Sequence, residues 1–335
     1  MTLAMSDFRQ RLEAFLSQRK QPPSIEQLTP DASTREYFRI SWNNGTAIAC
    51  VYPESFVESE QTYLDVTHLF RGANLPVAEV YDFDERLGII VQEDLGDRIL
   101  REELPAMTDD EREARLNEAI SLIARIQAAT RKAFELNSIA SRLRFDEEKL
   151  MWELDFFKTH YFETYKKQPL STGDDKALTN EFRKLSRILS DRAAVLCHRD
   201  FHAANLMIDA NDHLRIIDHQ DARIGSVAYD LVSLLLDRII EPPSAEWLAG
   251  KRRYFLGERE KLGLPPLDEK EFADEFRLQT VQRCLKATGT FSYQSVNRGK
   301  TYFVPFIKPM FQIVLRAVSS LNNYPNLRDV LMREV

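Results

Sequence analysis

Asp200 stands five residues before Asn205 in the run Cys-His-Arg-Asp-Phe-His-Ala-Ala-Asn, and Asp218 closes a second β-rich run further on. A hydroxyl that is to attack an electrophile needs a carboxylate that orients it and takes its proton, which suits Asp200. Asn205 and Asp218 offer the hard oxygen donors that Mg²⁺ prefers. A tight turn at 210–212 between strands at 206–209 and 214–218 would bring the three side chains together. His-Arg-Asp alone is common, and a lone buried Asp is more often a cap than a base. Here loop, spacing, hairpin and second Asp agree, which a purely structural string has no need to do.

The elements around this run divide the chain in two. Residues 6–20 carry Phe8, Leu12, Phe15 and Leu16 at helical spacing, and Pro22-Pro23 ends that helix. Strands are expected at 24–28, 37–42, 47–52, 79–84 and 87–93, with Asn43-Asn44-Gly45 as a hairpin turn and a helix at 58–70. Beyond Gly96 the pattern turns helical, at 109–130, 145–165, 174–189, 229–238, 245–262, 269–291 and 304–322. There is no internal repeat.

The spacing of Asp200, Asn205 and Asp218 follows the catalytic and metal loops of protein-kinase-like phosphotransferases. With Tyr229-Asp230-Leu231 downstream and His202 two places after the base, the chain resembles the aminoglycoside phosphotransferase superfamily of small-molecule kinases. The resemblance implies an α+β, two-lobe kinase-like fold. A nucleotide-binding lobe of antiparallel sheet would span 1–96, and a mainly helical catalytic and substrate-binding lobe 97–335. It implies ATP and Mg²⁺ as cofactors, Asp200 as base, and Asn205 and Asp218 as metal ligands. It also implies that Asp230 holds the catalytic loop by hydrogen bonds to its backbone.

On the nucleotide side, the apolar strand ending in Glu93-Asp94-Leu95-Gly96 takes the place of the family's hinge, so the backbone of Glu93 to Leu95 is expected at the adenine edge. Any lobe boundary can look the same. Residues 28–39 occupy the place of the phosphate-covering loop. They hold no glycine, but Ser33 and Thr34 are small hydroxyl residues beside Arg35 and Arg39. The alternative for this segment is a plain hairpin turn. The third strand, Ala47-Ile48-Ala49-Cys50-Val51-Tyr52-Pro53, lacks the Lys that normally holds the α- and β-phosphates. Either Arg35 or Arg39 replaces it, or the chain is a pseudokinase-type nucleotide-binding module. The intact base and metal ligands favour replacement by Arg. An Asp-Ala-Ser-x-Arg-x-Tyr-Phe-Arg loop with a Lys-free strand is similar to the bacterial N-acetylmuramate/N-acetylglucosamine anomeric kinases. Segments 152–157, 281–291 and 302–309 fit that branch too. A kinase for aminoglycosides or another small alcohol is the other enzyme reading.

Candidate acceptor contacts are Glu153, Arg238, Arg283 and Lys286, each of which could instead be a solvated charge or an internal ion pair. A lactyl carboxylate would favour Arg283 and Lys286. Trp152 and Phe156 could stack on a sugar or belong to the core, and His198 and His219 are expected to buttress the loops. A net charge of −7 with no basic block excludes general nucleic-acid binding. No apolar stretch is expected to span a bilayer, charges occupy the place of a signal-peptide core, and the partner is a small molecule. The three cysteines, far apart in the chain, read as buried thiols of a cytoplasmic protein.

Overall fold

The computed structural model describes residues 2–28, 34–321 and 323–335. The chain forms two compact units, one of residues 1–108 and 203–221 and the other of 109–202 and 222–335.

The first unit opens with helix α1 (Thr2–Gln18) and strands β1 (Ile25–Leu28), β2 (Glu36–Trp42) and β3 (Gly45–Val51). Helix α2 (Thr62–Gly72) then precedes β4 (Val80–Asp84) and β5 (Ile89–Glu93). The strands pair antiparallel in the order β1-β2-β3-β5-β4. Asn43 takes the β2–β3 turn at φ +52°, a left-handed conformation that Asn tolerates better than most residues. Period-two alternation puts Phe38, Ile40 and Trp42 on one face, with Ala47, Ala49 and Val51 of β3 beside them. Leu12, Phe15 and Leu16 of α1 close over that face, and Phe15 stacks on Trp42 with centroids 6.0 Å apart. The opposite face carries Tyr37 and Arg39, paired in register with Cys50 and Ile48.

The hairpin Leu206–Ile208/Leu214–Ile216 belongs to this unit, so the compact units divide differently from lobes cut once at residue 96. The cause is non-local backbone bonding. Ile216 N donates to Pro76 O and Ile208 N to Arg98 O, each at 2.8 Å. Arg215 of the hairpin grips Glu93 with two hydrogen bonds of 2.6 and 3.0 Å.

The second unit is helical apart from a small antiparallel pair, Val195–Cys197 with Arg223–Gly225. Its longer helices are α3 (Asp109–Ala128), α4 (Glu147–Phe157), α5 (Thr172–Asp191), α6 (Tyr229–Leu235), α7 (Ala245–Lys261), α8 (Glu269–Asn297), α9 (Ile307–Leu321) and α10 (Pro325–Met332). Helix α8 packs against α4, α6 and α9, and its buried positions run from Phe272 to Ser295. It outlasts the apolar pattern, which fades after Phe291. Ser292 and Ser295 donate back to Thr288 O and Phe291 O at 2.8 and 2.7 Å, so their hydroxyls are satisfied inside the core. The helix expected at 145–165 changes character, passing from α4 into a π-helix over Lys158–Tyr165. Residues Thr301–Leu321 form the one helical run, among the described residues, that is long and apolar enough to cross a membrane. Lys308 and Arg316 interrupt it, so no uninterrupted apolar stretch of that length is present among the described residues. Ile307, Met310, Phe311 and Val314 are buried on a helix that packs against α8.

Gly289 sets the closest approach of α8 to α4. A Cβ there would lie 2.8 Å from Phe157 Cα and 3.1 Å from Phe157 N, so backbone and not a flexible side chain would have to give way. Gly289→Ala should therefore lower stability by about 1–3 kcal/mol despite its gain in helix propensity. Urea unfolding measures this, and an unchanged midpoint would show that the two helices can separate freely.

Candidate active site

In the second unit the decisive local feature is a buried carboxylate. Asp230, in the first turn of α6 and fully buried, accepts hydrogen bonds from His198 N at 2.7 Å and Arg199 N at 3.0 Å. These bonds hold Arg199 at φ +88°, a conformation that non-glycine residues seldom adopt. The residue presented next is Asp200. The part expected of Asp230 is thus visible as geometry. Burial pushes its carboxyl up to about 6, against the opposing pull of His198 and the two backbone donors.

Asp200 is surrounded by cations from its own unit. Arg283 Nη2 lies 3.2 Å and Lys286 Nζ 3.4 Å from Oδ1, while Arg199 Nε is 3.7 Å from Oδ2. Burial raises the carboxyl, but Lys286, Arg283, Arg199 and His202 outweigh it and hold the group well below the ordinary carboxylate range. Asp200 is therefore ionised at any physiological pH. Arg283 is fixed from behind by Ser233 Oγ at 3.1 Å. Glu153 is fully buried on α4, and its Oε2 accepts from Gln282 at 2.7 Å. Of the four acceptor candidates, the structure thus brings Arg283 and Lys286 onto Asp200. Glu153 lies close enough to act on the charges of both cations. Arg238 sits elsewhere, its guanidinium 4.7 Å from the centre of the Phe303 ring. Trp152 is exposed and leans on Phe156, which packs against His160 and Tyr293.

In the first unit the hairpin joins Asn205 to the strand leading to Asp218, for Ile217 N donates to Asn205 O at 3.1 Å. Asp209 makes the turn by accepting from Asn211 N and His213 N at 2.9 and 3.0 Å. Asp218 itself is at φ +60°, and Gln220 donates to its Oδ1 at 2.8 Å. His219 anchors this segment to α2. Its Nε2 is 2.7 Å from Thr67 Oγ1, and its ring packs between Tyr63 and Phe70. Among the described residues no three His, Cys, Asp or Glu side chains cluster as a metal site. An amide and a carboxylate are instead a donor set for a hard cation that keeps water and phosphate as further ligands.

Arg35 and Arg39 have different surroundings. Arg39 is held by Asp94 at 2.8 and 3.2 Å and by Asp97 at 2.7 Å. Arg35 lies 5.7 Å from both the Tyr37 and Tyr52 ring centres and reaches to 3.8 Å from Asp218 Oδ1. Cys50 and Tyr63 also lie near it, and burial pushes the Cys50 thiol up to about 11. Sequence reasoning missed Tyr37, Tyr52 and Tyr63 as the setting of this Arg, although two of the three border strands at helix- and sheet-core spacing. Thr34 is exposed, Leu95 is buried and Glu93 is paired with Arg215; Ser33 lies outside the described residues.

Comparison with known proteins places this geometry. Residues 24–265 match the family described as phosphotransferase enzyme family. The chain is 32% identical over 294 residues to an N-acetylmuramate/N-acetylglucosamine kinase of Neisseria meningitidis serogroup B, covering 86% of this chain and 84% of that one. A kinase of the same name from Pseudomonas aeruginosa is 26% identical over 315 residues, covering 92% and 88%. Among solved structures, a choline kinase from Streptococcus pneumoniae shares the fold with a TM-score of 0.57 at 14% identity, covering 93% of this chain and 98% of the other.

Asp230→Ala would leave the buried amides of His198 and Arg199 without their acceptor, a loss of roughly 2–4 kcal/mol at neutral pH. Denaturant unfolding reads this directly, and an unchanged midpoint would refute the buttress. The pH dependence has a definite sign. The folded carboxyl titrates near 6, above the ordinary value of about 4. Folding therefore favours the protonated acid, and stability falls as pH rises between those values. That component should be missing from the pH profile of Asp230→Asn.

Proposed function

We propose that this chain, which belongs to the phosphotransferase enzyme family and is therefore a kinase acting on a small-molecule hydroxyl, uses ATP and Mg²⁺ to phosphorylate the anomeric hydroxyl of N-acetylmuramate or N-acetylglucosamine. The acceptor rests on the relatives' names at 32% and 26% identity over most of the chain. The observation in the protein itself that carries the reading is Asp200, ionised and held on a loop that Asp230 fixes by its backbone. An anomeric hydroxyl is more acidic than an ordinary alcohol and so suits a weakly basic carboxylate. The acceptor O–H breaks with its proton passing to Asp200, the acceptor oxygen forms a bond to the γ-phosphorus, and the bond from that phosphorus to the ADP oxygen breaks. Alignment and charge neutralisation supply most of the acceleration.

Asn205 and Asp218 would hold Mg²⁺, which when bound neutralises charge on the triphosphate. Arg35 is our candidate for the missing third-strand Lys, because Arg39 is already committed to two carboxylates. A guanidinium flanked by tyrosine rings keeps its charge and pairs well with phosphate. Ser33 and Thr34 would add donors beside it, and the backbone from Glu93 to Leu95 would meet the adenine edge. The first unit thus serves the nucleotide and the second the acceptor. Three cations around Asp200 speak against polycationic aminoglycosides as acceptors. ATP use and three buried free thiols fit a cytoplasmic setting.

Asp200→Asn and Asp218→Ala should each reduce turnover by about 10³-fold or more while retaining the native circular dichroism spectrum. Incubation with Mg-ATP and a panel of amino sugars, aminoglycosides and choline, read by phosphorus NMR, locates the new phosphate. Phosphate on a non-anomeric oxygen, or turnover of aminoglycosides alone, would reject the sugar acceptor. Arg35→Ala should cut kcat/KM for ATP by about 10- to 100-fold, as expected for loss of one charge-assisted phosphate contact. Arg39→Ala should act mainly on stability. If the two variants behave alike toward ATP, Arg35 does not replace the Lys.

A further inference from the structure

Arg283 and Lys286 stand one turn apart on α8 and reach the same oxygen of Asp200, at 3.2 and 3.4 Å. Arg283 has a second anchor in Ser233. The Lys286 ammonium makes no other hydrogen bond among the described residues, so it is the member of the pair that can leave. Both side chains are nearly buried, at 10% and 16% exposure, so neither can exchange Asp200 for bulk water. Burial and the neighbouring Arg283 push the Lys286 ammonium down in spite of Asp200 and Glu153. Its charge is only partly compensated, because it shares the one Asp200 oxygen with Arg283. Glu153 Oε1, fully buried, has no hydrogen-bond partner among the described residues.

This arrangement conflicts with the base's task. An oxygen held by two cations is a poor acceptor for a hydroxyl proton. Once the proton arrives, two buried cations are left facing a neutral acid, which is costly. A carboxylate on the acceptor would remove both difficulties. Of the two sugars in the relatives' names, muramate carries a lactyl carboxylate and glucosamine does not.

Resting on the sugar-kinase reading above, we infer that Lys286, beside the anchored Arg283, is the residue that selects an acidic acceptor: the substrate's carboxylate draws Lys286 off Asp200 and becomes its counterion while Asp200 takes the hydroxyl proton. With a neutral acceptor Lys286 stays on Asp200, and the base works against the clamp. The covalent bookkeeping is that of the proposed reaction, with ADP as leaving group and the proton on Asp200.

The test crosses substrate charge with side-chain charge. Wild type, Lys286→Met and Lys286→Arg are assayed with Mg-ATP on N-acetylmuramate, its methyl ester and N-acetylglucosamine, and kcat and KM are determined separately. Wild type should prefer the free acid to the ester by about tenfold in kcat/KM, the worth of one charge-assisted contact. Lys286→Met should lose about tenfold in kcat/KM on the free acid alone, while kcat for ester and N-acetylglucosamine rises as Asp200 is freed of one cation. Lys286→Arg should restore the preference for the acid. Equal losses on all three substrates, or a wild type blind to esterification, would overturn the inference while leaving a sugar kinase in place. Turnover of none of the three sugars would overturn the sugar reading and this inference with it. Should Lys286→Met fail to fold, the acid-against-ester comparison on wild type decides.

Discussion

A single buried carboxylate underlies the chemistry of the second unit. Asp230 has no exposed surface, yet it remains an acceptor because two backbone amides, of His198 and Arg199, point at it. Without those bonds the loop would have no reason to keep Arg199 in a left-handed conformation, and Asp200 would lose its fixed direction. The arrangement costs burial of a charge, visible in the raised carboxyl. It returns a loop whose course is fixed by backbone bonds to one short, buried side chain.

The first unit meets the equivalent demand with aromatic residues. His219 follows Asp218 directly and is packed between Tyr63 and Phe70 while bonded to Thr67, so α2 holds the Asp218 segment by its core face. That helix supplies no Glu to pair with a strand Lys, and the strand supplies no Lys. Tyr37 and Tyr52 flank Arg35 instead. One charged pair is exchanged for a cation among rings, which avoids burying a second charge.

Electrostatics separate the two halves in kind. Around Asp200 the sum of nearby cations holds a buried carboxyl ionised. Around Arg39 two carboxylates, Asp94 and Asp97, consume the charge that the loop brings. A cation with two acids at hydrogen-bond distance is a strut, and Arg35 differs from it in lying between two tyrosine rings, 3.8 Å from Asp218.

Sequence alone determined what local chemistry determines. The spacing of Asp200, Asn205 and Asp218, the Asn43–Gly45 turn, the alternation in β2 and the helical periods all act over a few residues, and most expected strands and helices stand near their expected ends, whereas α8 runs on to Asn297 and α10 was not expected. Tertiary structure decided what depends on distant partners. No local pattern shows that Lys286 and Arg283 meet a carboxylate more than eighty positions earlier, at |i−j| of 86 and 83. None shows that Arg39 belongs to Asp94 and Asp97 while Arg35 lies among tyrosines, for one sits within β2 and the other just before it. The hairpin at 206–216 joined the N-terminal unit for the same reason, since its backbone groups find their partners at Pro76 and Arg98. Spacing can announce which groups a reaction requires, but burial and long-range pairing set the charge each one keeps.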